Sequence, residues 1–219
     1  MQNNGYIREE GASVFYGTKE FAAMMNLYDS AARLLKLKFE VLNDEFNLLY
    51  ARNLIHHIES RLKSADSIIA KLIKKNLPLN IESAMKNVND IAGVRVVCNY
   101  IDDVYSVAEM FARQPDLTVV KRQDYIANPN YNGYRSLHLD VKVPVCRSTN
   151  TEYVVAEVQI RTIAMDFWAS LEHTMKYKKD IDDADSIMRE LKECADVIAS
   201  TDIRMQEINK KLHYAKPSE

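Results

Sequence analysis

Asn89-Asp-Ile-Ala-Gly-Val-Arg-Val-Val-Cys-Asn-Tyr100 is the most strand-like run in this chain of 219 residues. Its β-branched residues predict a buried strand, with Asp90 at the mouth and Gly93 permitting close backbone approach. Two later segments alternate cleanly. In Ser136 to Val143, Leu137, Leu139, Val141 and Val143 take one face, opposite His138, Asp140 and Lys142. In Glu152 to Arg161, Val154, Ala156, Val158 and Ile160 face inward, while Val155, Glu157, Gln159 and Arg161 share the other face. Leu117 to Lys121 forms a further strand. His138 and Glu157 on adjacent polar faces would make either a charged site floor or a plain solvated sheet face.

Helical periodicity fills the rest. From an N-cap at Thr18, apolar residues recur at spacings of three and four from Phe21 to Phe46. A second helix starts from Ser64, burying Ile68, Ile69, Leu72 and Ile73, and a short one covers Ile81 to Asn87. Asp102-Asp103 reads as a capped helix start, and Thr162 to Tyr177 as a helix through Trp168. The final segment, Asp183 to His213, carries Ile187, Leu191, Cys194, Ile198, Thr201, Met205, Ile208 and Leu212 in a heptad seam that must bury against the first helix or a second subunit. The expected organisation is a loose lead-in at 1–17, a catalytic-size domain at 18–182 and a C-terminal helical segment at 183–219.

Composition narrows the classes. An apolar content of 47% with only 5 Gly and 5 Pro predicts a packed, helix-rich globule. A net charge of -2 excludes an overall basic nucleic-acid binder, though not a local basic face. Cys98, Cys146 and Cys194 have no metal-ligand spacing and suit a reducing compartment. No signal-peptide pattern occurs, and no apolar run approaches the roughly 20 residues of a membrane span. A cytoplasmic protein without a membrane partner is expected. Adjacent histidines point in different directions, so His56-His57 is read as a poor chelate.

Three groups of residues carry chemistry. Arg61, Lys63, Ser67 and Lys71 gather at the start of the second helix, as a solvated basic face or as a cradle for a polyphosphate. Asp90 and Glu157 are carboxylates at sheet positions. Between two strands lies the loop Asp124-Tyr-Ile-Ala-Asn-Pro-Asn-Tyr-Asn-Gly-Tyr-Arg-Ser-Leu-His138, whose tyrosines pack on the sheet rim or stack on a flat base. The Walker, dinucleotide-binding and nucleophile-elbow motifs are all missing. A basic cradle, two acids and a base platform are what phosphoryl-type transfer requires.

These residues also match a family. Arg61-Leu-Lys-Ser-Ala-Asp-Ser-Ile, Asp90-Ile-Ala-Gly-Val-Arg95, Asn132-Gly-Tyr-Arg-Ser-Leu-His138, Glu157-Val-Gln-Ile-Arg-Thr162 and Ala164-Met-Asp-Phe-Trp-Ala-Ser-Leu-Glu-His173 closely resemble the synthetase domain of RelA/SpoT alarmone enzymes. The resemblance spans roughly residues 20 to 215 and points to a stand-alone small alarmone synthetase. It implies an α+β, nucleotidyltransferase-like fold: a mixed five-stranded sheet flanked by helices, with a long C-terminal helix. It implies Mg²⁺-dependent transfer of the ATP β,γ-pyrophosphate to the 3′-hydroxyl of GDP or GTP, giving (p)ppGpp and AMP. Carried over by motif, Asp90 holds Mg²⁺, and Glu157 binds metal or activates the hydroxyl. Arg61, Lys63, Ser67 and Lys71 hold ATP, with Arg95 against the adenine. Tyr134 stacks on guanine, with Asn132 and His138 close to the acceptor. A homotetramer built through terminal helices is also implied. No His is followed by Asp, so a hydrolase activity is not.

One position departs from the pattern. Many relatives carry Pro-Lys where this chain has Pro129-Asn130, so Lys121 or Arg122 would have to supply charge for the acceptor's 5′ phosphates. A weakened phosphate site would also fit the family members that modify the 3′ end of tRNA. A non-catalytic nucleotide- or RNA-binding module is the third alternative.

Overall fold

The long helix expected after Thr18 forms as α1 (Lys19–Tyr50), and Thr18 Oγ1 accepts the Phe21 amide at 3.2 Å as its cap. In this computed structural model, residue 13, residues 15–176 and residues 184–214 are described. The order continues β1 (Ile55–Leu62), α2 (Ala65–Lys74), α3 (Ile81–Asn87), β2 (Ala92–Cys98), α4 (Ile101–Ala112), β3 (Thr118–Asp124), β4 (Leu137–Cys146), β5 (Thr151–Thr162), α5 (Ile163–Lys176) and α6 (Ala184–Tyr214).

The five strands lie in the order β1-β2-β5-β4-β3. Only β2 and β5 run parallel; the other neighbours are antiparallel, so the sheet is mixed, as the resemblance implied. One face is apolar. Val94, Val96, Val158, Ile160, Leu139 and Val141 pack there with Leu35 and Phe39 of α1, Ile68 of α2 and Phe111 of α4. Phe39 and Phe111 stack at 4.2 Å and 15°. Each fully buried side chain of this kind contributes about 1.5–3 kcal/mol. With that face sealed, the opposite face of the central strands is left for polar residues.

The lead-in, the Asp102–Asp103 pair and the seam of α6 each show something that the residues alone do not. Residues 1–12 and 14 of the expected loose lead-in lie outside the described residues, but Phe15 is 1% exposed and meets Phe21 edge-on. Asp102 and Asp103 do not cap α4, whose N-cap Tyr100 makes no side-chain cap bond. A buried Asp103 pairs with Arg52, while Asp102 meets Gln206 and Lys210 of α6. Cations and an amide from distant segments offer these acids stronger partners than the local backbone does.

The seam of α6 is the third. Leu191 and Ile198 pack inward, but Met205, Ile208 and Leu212 stay 46–66% exposed. The stripe that α6 turns to its own domain is Ala195, Asp202, Gln206 and Asn209, polar in its second half. Asp202 receives the Thr162 hydroxyl at 2.6 Å, and Gln206 bonds Asp102. Docking of the second half of α6 is therefore specified largely by hydrogen bonds.

Candidate active site

The register of the sheet builds the polar face row by row. Arg61, Gly93, Glu157 and Asp140 stand side by side across β1, β2, β5 and β4, with Lys121 next on β3. The adjoining row is Glu59, Arg95, Gln159, His138 and Gln123. Gly93 leaves the space that the Arg61 side chain crosses: an added Cβ would stand 3.6 Å from Arg61 Cγ. Asp90 precedes β2 and faces the same cavity as Glu157, Arg61, Arg95 and Gln159. The two expected carboxylates are thus on one face of the sheet.

Asp90 gathers part of the expected cradle. Lys63 Nζ donates to its Oδ2 and Lys71 Nζ to its Oδ1, both at 2.8 Å. Burial alone would raise the Asp90 carboxyl, but these two hydrogen bonds outweigh it and hold the group below the ordinary range. Lys71 lies in the last turn of α2, so the lysines converge on the carboxylate rather than around the helix start. Ser67 does sit at that start, where its amide donates to the Ser64 cap and its hydroxyl accepts from Ser64.

Glu157 is the hub of the second half. Burial pushes its carboxyl up, but His138 and Gln159 pull it further down, so it stays ionised at neutral pH. His138 Nδ1 is 3.6 Å from Glu157 Oε1, and the other ring nitrogen shares a 2.8 Å hydrogen bond with the Tyr134 hydroxyl. Gln159 donates to Glu157 at 2.5 Å and accepts from Arg161 at 2.6 Å. The Arg161 guanidinium covers the Tyr134 ring at 5.7 Å from its centre and pairs with Asp166. Burial lowers Arg161 and raises the Tyr134 phenol. A cleft of about 380 Å³ beside this network is lined by Arg61, Arg95, Tyr134, Arg161, Glu172 and His173 among others. A flat, anionic ligand suits a cleft with three guanidinium groups and a half-buried ring. A wider cavity, about 930 Å³ between α6, α5 and the end of α1, is lined by neither Asp90 nor Glu157.

Not every expected residue arrives here. Asn132 is buried and spends its amide on α5 and on its own turn, donating to Glu172 at 3.1 Å and accepting from the Tyr134 amide at 3.2 Å. Its place is in holding the turn. A bulge between Val119 and Lys121 decides the other pair. It turns Lys121 onto the site face at the far edge and leaves Arg122 level with Leu139 on the opposite face, bonded to Glu109. A second bulge, between Ile55 and His57, overturns the expectation that His56 and His57 diverge. Their Nδ1 atoms face each other at 2.9 Å.

Sequence reading left Gln159 and Arg161 out of the site, although strand alternation had placed both on its face. Glu172 and His173, from α5, come in only through helix packing.

Among the described residues no three His, Cys, Asp or Glu side chains form a metal cluster. Two carboxylates on one cavity nevertheless fit Mg²⁺, which keeps several waters and takes one or two protein carboxylates plus substrate phosphates. Asp90 and Glu157 are the residues that would hold it.

Residues 60–182 match the family described as the region found in RelA/SpoT proteins. The GTP pyrophosphokinase YwaC of Bacillus subtilis is 44% identical over 186 residues, covering 85% of this chain and 89% of the relative. Another from the same organism, the GTP pyrophosphokinase YjbM, is 32% identical over 198 residues, or 90% of this chain and 92% of the relative. A crystal structure of the Bacillus subtilis small alarmone synthetase 1 bound to its product pppGpp superimposes with a TM-score of 0.81 at 32% identity. It covers 89% of this chain and 98% of that one. This chain belongs to the RelA/SpoT family, among its small alarmone synthetases.

Proposed function

We propose that the protein is a GTP pyrophosphokinase that moves the β,γ-pyrophosphate of ATP to the 3′-hydroxyl of GDP or GTP. The 3′-oxygen attacks the β-phosphorus, the bond between that phosphorus and the α,β-bridging oxygen breaks, and AMP leaves with its oxygen. Glu157 takes the proton of the attacking hydroxyl, with the His138 ring held beside it by the Tyr134 hydroxyl. Lys63 and Lys71 are within reach of a triphosphate at Asp90, Arg61 and Arg95 flank the nucleobase, and Tyr134 offers the acceptor a ring. Mg²⁺, when bound at Asp90 and Glu157, supplies neutralisation of charge on phosphate oxygens.

One observation carries this reading: both carboxylates face a single cavity, with two ammonium groups on one side and the Tyr134–His138 pair on the other. The activities named for the two Bacillus subtilis relatives support it. Neither name speaks for a tRNA acceptor or for a binding-only role. Lys121, level with Asp140 at the edge of the site face, is the candidate for the acceptor's 5′ phosphates. We further read the chain as a cytoplasmic homo-oligomer, with a tetramer favoured, in which residues 18–182 catalyse and 183–219 assist assembly. Exposed Leu37, Val41, Leu48 and Leu49 on α1 and the outer residues of α6 support an assembly surface. No helix is long and apolar enough to cross a membrane among the described residues.

The test is ATP labelled in its β,γ-phosphates, offered with GDP, with GTP, with deacylated tRNA and with no acceptor. Label should pass to the guanine nucleotide with equal release of AMP. Glu157→Gln should lower the rate by at least about 10²-fold while circular dichroism shows that the variant stays folded. Label found on tRNA alone, or AMP release that ignores the guanine nucleotide, would refute the assignment.

A further inference from the structure

The turn that carries Tyr134 is seated on α6. Gly133 has φ +88° and its amide donates to the Asn130 carbonyl at 2.9 Å, while the Asn130 amide donates to the Tyr134 carbonyl at 3.2 Å. Only glycine adopts that backbone without strain. Space forbids a side chain as well: an added Cβ would stand 2.5 Å from the Cβ of Ala195 on α6. The backbone of the turn thus rests on the smallest side chain that a helix can offer short of glycine.

Arg135 ties the same junction polarly. Its Nη1 donates to the Gly133 carbonyl at 3.0 Å and to the Ala195 carbonyl at 3.4 Å, and its Nη2 reaches Asp196 at 3.2 Å. On the other flank Asn132 bonds Glu172 of α5. Trp168, the only tryptophan of the chain, closes the arrangement. Its indole packs with Ala169 and Ala195, with Tyr134, Leu191 and Ile198 around them, and its Nε1 donates to the Leu191 carbonyl at 2.9 Å. Turn, α5 and α6 therefore meet in one small core of their own, separate from the main core.

We propose that Ala195 and Arg135 are positioning residues for the acceptor nucleotide, setting the height and tilt of the Tyr134 ring from α6, and that acceptor occupancy is felt in return at Trp168. The inference rests on the reading of Tyr134 as the acceptor platform. Neither residue needs to touch substrate. The phosphate grip, Lys63 and Lys71 on Asp90, comes from segments other than the turn, α5 and α6, so the two substrates should separate in their response. A displacement on the order of 1 Å at a reacting group can cost 10²-fold in rate, so a bulkier side chain under the turn has ample leverage.

The experiment measures the KM for GDP and for ATP in the parent, in Ala195→Leu and in Arg135→Lys, and follows Trp168 emission on titration with GDP or with a non-hydrolysable ATP analogue. Ala195→Leu should raise the GDP KM roughly tenfold and leave the ATP KM within about twofold. Arg135→Lys, which keeps the charge and loses the fork, should do the same to a smaller degree. GDP should shift the parent emission saturably, and the ATP analogue alone should not. Equal rises in both KM values, or an unchanged GDP KM in either folded variant, overturn the proposal. If Ala195→Leu fails to fold, Arg135→Lys and the emission titration decide. Parent activity is scored first: no AMP release with any guanine nucleotide removes the functional reading itself, whereas normal release with unmoved GDP KM values removes only this inference.

Discussion

The Lys71 ammonium stands 2.8 Å from one oxygen of Asp90, and Lys63 holds the other oxygen at the same distance. All three side chains are partly shielded from water, so the acid expected to meet a divalent ion is already neutralised by the chain's own cations. An ion at Asp90 would compete with both lysines, which a triphosphate could draw away.

From this we expect metal binding to depend on ATP. Manganese, followed by its paramagnetic resonance signal, should bind weakly to the free protein and at least about tenfold more tightly with a non-hydrolysable ATP analogue, the scale on which a neighbouring charge moves a carboxylate equilibrium. Lys71→Met should strengthen binding to the free protein and shrink the effect of the analogue. Equal affinity with and without the analogue would show that the lysines do not guard the site.

Arg161 is buried against the Tyr134 ring and donates to Gln159, which in turn donates to Glu157. Lysine cannot reproduce both the planar stacking and the bond to Gln159. Arg161→Lys should therefore raise the GDP KM roughly tenfold and lower kcat as well, because Gln159 loses its anchor. A variant with both constants at parental values would show that Tyr134 holds its position unaided.

The acids predict opposite pH behaviour at two places. Asp90 and Glu157 have folded pKa values below their unfolded ones, near 4 for such groups. Their contribution to stability is present above the unfolded values and is lost as pH falls through the folded ones. Urea unfolding from pH 7 downward should show stability dropping below about pH 4, and Asp90→Asn should flatten that slope. At Asp202, burial raises the carboxyl, and its hydrogen bond from Thr162 only partly offsets this. A raised value means that stability falls as pH rises from the unfolded toward the folded pKa. Asp202→Asn, which can still accept the Thr162 hydroxyl, should thus unfold a few degrees higher at pH 8 and lose that advantage in acid. A lower midpoint at pH 8 would contradict the burial penalty.

Local pattern made much of this protein readable from its residues alone. Alternation along β5 placed Glu157, Gln159 and Arg161 on one face because side chains in a strand alternate whatever lies beyond. Thr18 and Ser64 announced their helices because a cap bond spans only three residues. Tertiary structure decided what depends on register and on distant packing. One extra residue in β3 reversed the faces of Lys121 and Arg122, and one in β1 turned His56 toward His57, since a one-residue slip flips every side chain after it. The meeting of Lys63 and Lys71 on Asp90 and the seating of Gly133 on Ala195 join segments far apart in the chain. No local periodicity encodes such contacts, because they form only once the sheet has chosen its partners and α6 has docked.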